Sequence, residues 1–319
     1  MYTPSGNILV IGATGQIGSE LVPELRRRYG ADRVIASGHK TKPSDELRDG
    51  GPFEIVDAAD YEAVRAVVQK YKIKIIYHLA SLLSANGEKN PDLAWEVNAN
   101  GLKIVLDVAR QEGIERLFWP SSIAAFGPDT PKENTPNETI LRPTTMYGVT
   151  KVAGELLCEY YVKRYGLDIR SLRYPGIISY KTLPGGGTTD YAVAIFYEAI
   201  KQKRYTCFLK EDTVLPMMFM PDCVKSTLDI MEVEPSRLTR RVFNLAAVSF
   251  APRDIVAEIK KHIPEFECSY EPDFRQAIAD SWPRIIDDSA ARREWGWKHE
   301  YDLAKMTEVM LDEIRKKLV

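Results

Sequence analysis

In the first half of the chain, short apolar runs alternate with stretches whose apolar positions recur every three or four residues. Residues 7–12, Asn-Ile-Leu-Val-Ile-Gly, form a compact apolar run closed by glycine, and across 16–29 the residues Ile17, Leu21 and Leu25 fall on one helical face. This segment predicts strand, turn and helix. Further apolar runs at 34–36, 53–56, 73–80, 117–119 and 169–172 are spaced by helical patterns, notably at 61–71, 93–112 and 147–165. Strands separated by helices specify a parallel sheet covered on both faces, an α/β doubly wound architecture. Beyond about residue 175 the pattern loosens. Pro184-Gly-Gly-Gly187 reads as a loop, 191–201 as a helix, and 242–246 as a short isolated apolar run. The expectation is a large lobe over 1–175 and a smaller mixed α/β lobe over 176–319 that binds substrate, with segments near 222–247 returning to the first.

Composition narrows the class of partner. The 319 residues are 45% hydrophobic and 28% charged, with a formal net charge of -2. That balance suits a globular chain with a sizeable core and offers no broad basic field for nucleic acid or an anionic membrane. The expected partner is a small molecule. Cys158, Cys207, Cys223 and Cys268 are scattered singly, without metal-site spacing, and read as reduced packing residues. No apolar run approaches the roughly 20 residues of a membrane span, and residues 1–6 are too short for a targeting signal, so a cytoplasmic enzyme without metal is expected.

Gly12-Ala-Thr-Gly15-Gln-Ile-Gly18 stands after the first strand and opens the first helix. Glycines at such a turn let backbone amides approach a pyrophosphate, which the helix N-terminus favours. Alone, the triplet suits any strand-to-helix turn; the alternation that follows turns it into a dinucleotide site, with the phosphates at 15–17. After the second strand, where an acid would take the ribose hydroxyls of NAD, the chain reads Ser37-Gly38-His39-Lys40. His39 and Lys40 suit either a site tolerant of a 2'-phosphate or a solvated loop. Ser37 leaves NAD open, because its hydroxyl is able to bond the ribose.

Tyr147-Gly-Val-Thr-Lys151 puts a phenol and an ammonium on one helical face. The cation is expected to lower the phenol's pKa toward working pH and make Tyr147 a general base. Pro120-Ser121-Ser122 ends an apolar strand, which sets hydroxyls at the carboxyl edge of the sheet. Ser122 is the candidate polarising hydroxyl, and the choice between it and Ser121 is open at this level. His78 reads as structural.

The GxxGxxG turn, the YxxxK pair and Asn98 in Val97-Asn-Ala-Asn-Gly101 resemble the extended short-chain dehydrogenases/reductases, a Rossmann-type fold. Longer blocks narrow the resemblance: Ser81-Leu-Leu-Ser-Ala-Asn-Gly-Glu88, Leu172-Arg-Tyr-Pro-Gly-Ile-Ile-Ser179, Gly185-Gly-Gly-Thr-Thr-Asp-Tyr-Ala192, Leu215-Pro-Met-Met218 and Ser281-Trp-Pro283 are similar to those of short-chain-type L-threonine 3-dehydrogenases. The resemblance runs from Asn7 to about Leu303. It implies oxidation of the L-threonine C3 hydroxyl to 2-amino-3-ketobutyrate with NAD, Tyr147, Lys151 and Ser122 catalysing. It places Ser84, Ser121, Gly186, Thr188, Thr189 and Trp282 with Tyr147 around the amino acid. The cofactor falls to Gly12, Gly15, Gln16, Ile17, Gly18, Ser37, His39, Lys40, Asp57, Leu79, Ala80, Asn98, Tyr174, Gly176 and Ile177, besides Tyr147 and Lys151. A homodimer through 93–112 and 147–165 is also implied. The chain departs from the pattern at Ser122, often threonine in the family, and at Gly38, often aspartate. The alternatives are an NDP-sugar 4-epimerase or dehydratase and a non-catalytic NAD(P)-sensing protein.

Overall fold

A computed structural model describes residues 4–183 and 185–318, so Pro184 of the expected loop lies outside the described residues. Its strands, in chain order, are β1 (Asn7–Ile11), β2 (Val34–Gly38), β3 (Phe53–Ile55), β4 (Ile73–His78), β5 (Arg116–Phe118), β6 (Ser121–Ser122), β7 (Ile169–Tyr174), β8 (Gly176–Ile178), β9 (Arg204–Cys207), β10 (Leu215–Phe219), β11 (Val242–Asn244), β12 (Val248–Phe250) and β13 (Glu267–Tyr270). The main sheet is parallel and runs β11-β7-β5-β4-β1-β2-β3, with β6 beside β7.

Alternate residues of each strand point to opposite faces, and the two faces have separate cores. Ile8 and Val10 of β1 pack with Leu21 and Leu25 of the helix Gly18–Tyr29 and with Leu228 of the helix Met220–Glu232. Leu9 and Ile11 pack instead with Val64, Leu102, Val105 and Cys158, from the helices Tyr61–Lys70, Gly101–Gln111 and Met146–Tyr165. β1, covered on both sides, reads for that reason as an unbroken apolar run.

The 222–247 stretch lies against this sheet: Met220–Glu232 covers one face, and β11 adds an outer strand with Phe243 opposite Leu172. A third core, including Phe196, Met217, Phe219, Ile255 and Ile314, holds the later elements together. There β10 pairs with β8 in parallel and β12 antiparallel, and β13 pairs with β9. Strands of three to five residues, set between helices and loops, leave the 176–319 region without the regular strand-helix alternation of the first half.

Two helices matter for the site. Met146–Tyr165 starts on Thr145, whose side chain accepts from the Gly148 amide, and stops at Gly166, which has φ 72°. The helix expected over 93–112 is interrupted by a π-helical turn, Glu96–Asn100, between Pro91–Trp95 and Gly101–Gln111. Single π turns of this kind re-aim one side chain, here Asn98.

Candidate active site

The carboxyl ends of β4 and β7, the strand β6 and the start of β8 meet the glycine turn around one cavity of about 800 Å³, measured with its open mouth. Gln16, Ile17 and Leu79 line it from the main sheet side; Ser121, Ser122, Tyr147 and Lys151 form its floor; Tyr174, Gly176 and Ile177 follow from β7 and β8. Ser84, Thr188, Thr189 and Trp282 close the opposite wall. Residues separated by more than 250 positions in sequence therefore share one space.

Gly12 has φ 85°, and a Cβ there would stand 2.6 Å from the Ala80 amide nitrogen; one on Gly18 would stand 2.5 Å from the Gly12 carbonyl. Both positions demand glycine, and Ala80 contributes backbone packing under the turn. Gly15, Gln16 and Ile17 then lie directly before a helix N-terminus, the arrangement that suits a pyrophosphate. The bare glycine turn and the buried ammonium of Lys151 beyond it fit a nicotinamide dinucleotide.

Lys151 is 2% exposed, donates to the Pro120 carbonyl at 2.7 Å, and sits 4.6 Å from the Trp119 ring centroid and 5.3 Å from that of Tyr147. Burial pulls its pKa down to about 7, against the opposing pull of Glu155 one turn along the helix. Tyr147 faces the cavity rather than bulk water. Burial pushes its phenol up to about 12, while hydrogen bonds with Ser122 and Ser81 work the other way. The expected lowering of this phenol by the lysine is not what opposes burial here; the Ser122 and Ser81 hydroxyls are. His78 is fully buried with, among the described residues, no hydrogen-bond partner on either ring nitrogen, and burial, aided by the Lys151 charge, drops its pKa to about 3. It is a neutral packing group beneath the site.

The two serines are told apart by their partners. Ser121 lines the cavity, yet its hydroxyl donates to Glu155, which is itself paired with Arg173. Ser122 accepts from the Ala124 amide at 3.2 Å and shares a hydrogen bond with Tyr147, so its hydroxyl, unlike that of Ser121, faces the phenol. Ser122→Ala is expected to cut turnover roughly 10- to 100-fold, the range for one bond to a charged or charging group, with Ser121→Ala close to wild type in kcat. Steady-state kinetics of the two variants check this; equal losses would erase the distinction.

Other expected positions fall elsewhere. The Ser37 hydroxyl is fully buried and donates to the Val10 carbonyl at 3.2 Å, so it corrects the expectation of a ribose contact: β2 pairing turns the side chain into the sheet. Asn98 does not line the cavity. Its amide accepts from Ser81 and Leu82 and donates to Leu82 and Thr150, which makes it the clamp of the 81–84 segment rather than a cofactor contact. His39 and Asp57 lie together at the end of β2, with Nδ1 to Oδ2 at 3.6 Å, and Lys40 is exposed beside them. Gly186 stays off the cavity wall and donates to Asp190 at 2.7 Å, as does Gly187. Asp190 and Ser81 are the polar residues sequence reasoning passed over. Both lie inside the quoted blocks, but nothing local marks them, because their roles arise from a loop folding back and from Tyr147.

With its glycine turn, tyrosine-lysine pair and two-faced parallel sheet, the chain belongs to the NAD dependent epimerase/dehydratase family, whose match covers residues 8–246. Within that class it is 50% identical over 306 residues to the mitochondrial L-threonine 3-dehydrogenase of Bos taurus, covering 96% of this chain and 82% of that protein. The solved L-threonine dehydrogenase from Clostridium difficile is 49% identical with TM-score 0.96, covering 99% of both chains. A monomeric L-threonine 3-dehydrogenase from a metagenome is 47% identical with TM-score 0.93, covering 97% of this chain and 99% of that one. Among the described residues no helix is long and apolar enough to cross a membrane.

Proposed function

We propose that this chain is an NAD-dependent L-threonine 3-dehydrogenase that converts L-threonine to 2-amino-3-ketobutyrate. The observation that carries the reading is the hydroxyl of Tyr147, bonded to Ser122 and Ser81 beside buried Lys151 and facing a wall whose Ser84 and Thr188 hydroxyls approach to 3.4 Å. Threonine is small and zwitterionic, so its site needs a few neutral hydroxyls, backbone amides and an apolar wall; Trp282 supplies the last. The similar L-threonine dehydrogenases support the same substrate.

In this reading Tyr147 Oη, as phenolate, takes the proton of the C3 hydroxyl, while the nicotinamide supplies the acceptor for the hydride leaving C3. Ser122 Oγ steadies the reacting oxygen. Lys151 Nζ holds the nicotinamide ribose and offers positive charge to the phenolate. Asp190 orders the 185–187 turn that presents Thr188 and Thr189. Incubation with L-threonine and NAD should accumulate NADH. A sugar-nucleotide epimerase, the nearest rival within the family, returns its cofactor oxidised, so no NADH with threonine and turnover of a UDP-sugar would replace this reading.

The proposal extends to organisation. The lobes are 1–175, with segments near 222–247, and 176–319, the cleft between them holding the substrate. Leu93, Trp95, Leu156 and Tyr160 are exposed at 41, 43, 63 and 53% on the helices Pro91–Trp95 and Met146–Tyr165, and we assign them to a homodimer interface. Sedimentation at the monomer mass of 36.1 kDa would remove that assignment. A cytoplasmic location belongs to the same proposal, and cell fractionation tests it.

A further inference from the structure

The end of β2 has a different chemistry from that of an NAD-selective site. Selectivity for NAD ordinarily comes from a carboxylate at this position, which accepts from the ribose hydroxyls and repels a 2'-phosphate. This chain has Gly38 there, and the surroundings keep it bare. A Cβ on Gly38 would stand 2.8 Å from Thr14 Cγ2, 3.1 Å from Thr14 Oγ1 and 3.3 Å from Phe53 Cζ. Thr14 belongs to the glycine turn itself, so the same contact shows how closely the turn and the end of β2 abut.

The neighbouring groups do not replace the missing acid. The Ser37 hydroxyl is committed to the Val10 carbonyl. Asp57 does approach, but its Oδ1 accepts from the Ala59 amide at 3.0 Å and its Oδ2 faces His39. Lys40 is exposed and, among the described residues, forms no ion pair. What this end offers a ligand is an unpaired ammonium, an imidazole and the Thr14 hydroxyl, a donor set suited to phosphate.

We propose that this corner, with Gly38 in place of an acid and Lys40 free beside it, accepts a ribose 2'-phosphate, so that the chain binds NADP(H) as well as NAD(H). Lys40 is the residue that sets the preference. The inference rests on the dinucleotide reading above and adds the second cofactor class.

The test is direct binding, with no turnover involved. The full chain is titrated with NADH and with NADPH, following nicotinamide fluorescence, for wild type, Lys40→Glu, and Gly38→Asp combined with Thr14→Ala. Wild type should bind NADPH within about tenfold of NADH, and Lys40→Glu should weaken NADPH about tenfold or more relative to NADH, the size of one bond to a charged group. The Gly38→Asp combination should move the ratio the same way. If wild type binds NADH but holds NADPH more than about tenfold less tightly, or if Lys40→Glu leaves the ratio unchanged, the proposal is overturned. Failure to bind either dinucleotide would instead overturn the functional reading itself.

Discussion

Tyr147→Phe is expected to fold and to bind NADH like the wild type while its turnover of L-threonine falls by about 10²- to 10⁴-fold, the usual contribution of a positioned acid-base group. The substitution removes one oxygen and keeps the ring that lines the cavity and lies 5.3 Å from Lys151 Nζ. Neither His78 nor Ser122 offers the same proton path. His78 is buried out of the cavity with its pKa pushed down to about 3, and the Ser122 hydroxyl, unassisted, is far too weak a base. Because the phenol itself is pushed up to about 12, the wild-type rate should climb as pH rises from neutrality, and the variant's residual rate should lose that climb. Parallel fluorescence titration and steady-state kinetics check the split. A variant that kept more than about a tenth of wild-type kcat would sink the assignment of Tyr147 as base.

Glu155→Ala should cost about 3–5 kcal/mol of folding stability, because it strips a buried cation of its counter-charge. The Glu155 carboxylate takes Arg173 Nε at 2.8 Å and Nη2 at 2.7 Å, besides the Ser121 hydroxyl, and both members of the pair are buried. Arg173 has further partners in the Asn137 carbonyl at 2.6 Å and Asn244 Oδ1 at 3.1 Å, but these are neutral. The truncation also removes the nearest charge that holds the Lys151 pKa up, so that lysine should lose its proton at lower pH in the variant. The sign for Lys151 is that of a base whose folded pKa is depressed: its burial penalty is present at low pH and is relieved as pH rises from about 7 toward the unfolded value of 10.5. Denaturant titration of wild type, Glu155→Ala and the double variant with Arg173→Met measures the pair. The double variant should recover much of the loss, since replacing both charges by apolar groups is often neutral. A single-variant loss under about 1 kcal/mol would show that the pair does not carry the stability assigned to it.

How much of this was readable in advance depended on distance along the chain. The turn at Gly12 to Gly18 and the pair Tyr147 and Lys151 are local. Backbone geometry within a few residues places their atoms whatever the rest of the molecule does, because a four-residue step returns to the same helical face. The strands of the main sheet were legible for a related reason, since burial on both faces leaves little room for polar residues. The clamp made by Asn98 was not. It needs the π turn at Glu96–Asn100 to aim the amide at a loop 16 residues upstream, and neither helix periodicity nor composition marks such a turn. The sheet built from β8, β10 and β12 was equally hidden, because short strands in register across a long gap leave no periodic trace.

The serines and the ribose corner show the boundary most sharply. Sequence alone put hydroxyls at the end of a strand and an acid-free Ser37-Gly-His-Lys40 after β2, and so determined the fold class, the glycine turn, the tyrosine-lysine pair and where the cofactor question lies. Tertiary structure decided which groups remain free for a ligand. Ser121 is spent on Glu155 across 34 residues and Ser37 on Val10 across 27, whereas Ser84 and Thr188, 104 residues apart, and Ser122 beside Tyr147 turn their hydroxyls toward the cavity. The physical reason is that a buried polar group must find a partner, and only the folded packing of distant segments determines whether that partner is the protein or its ligand.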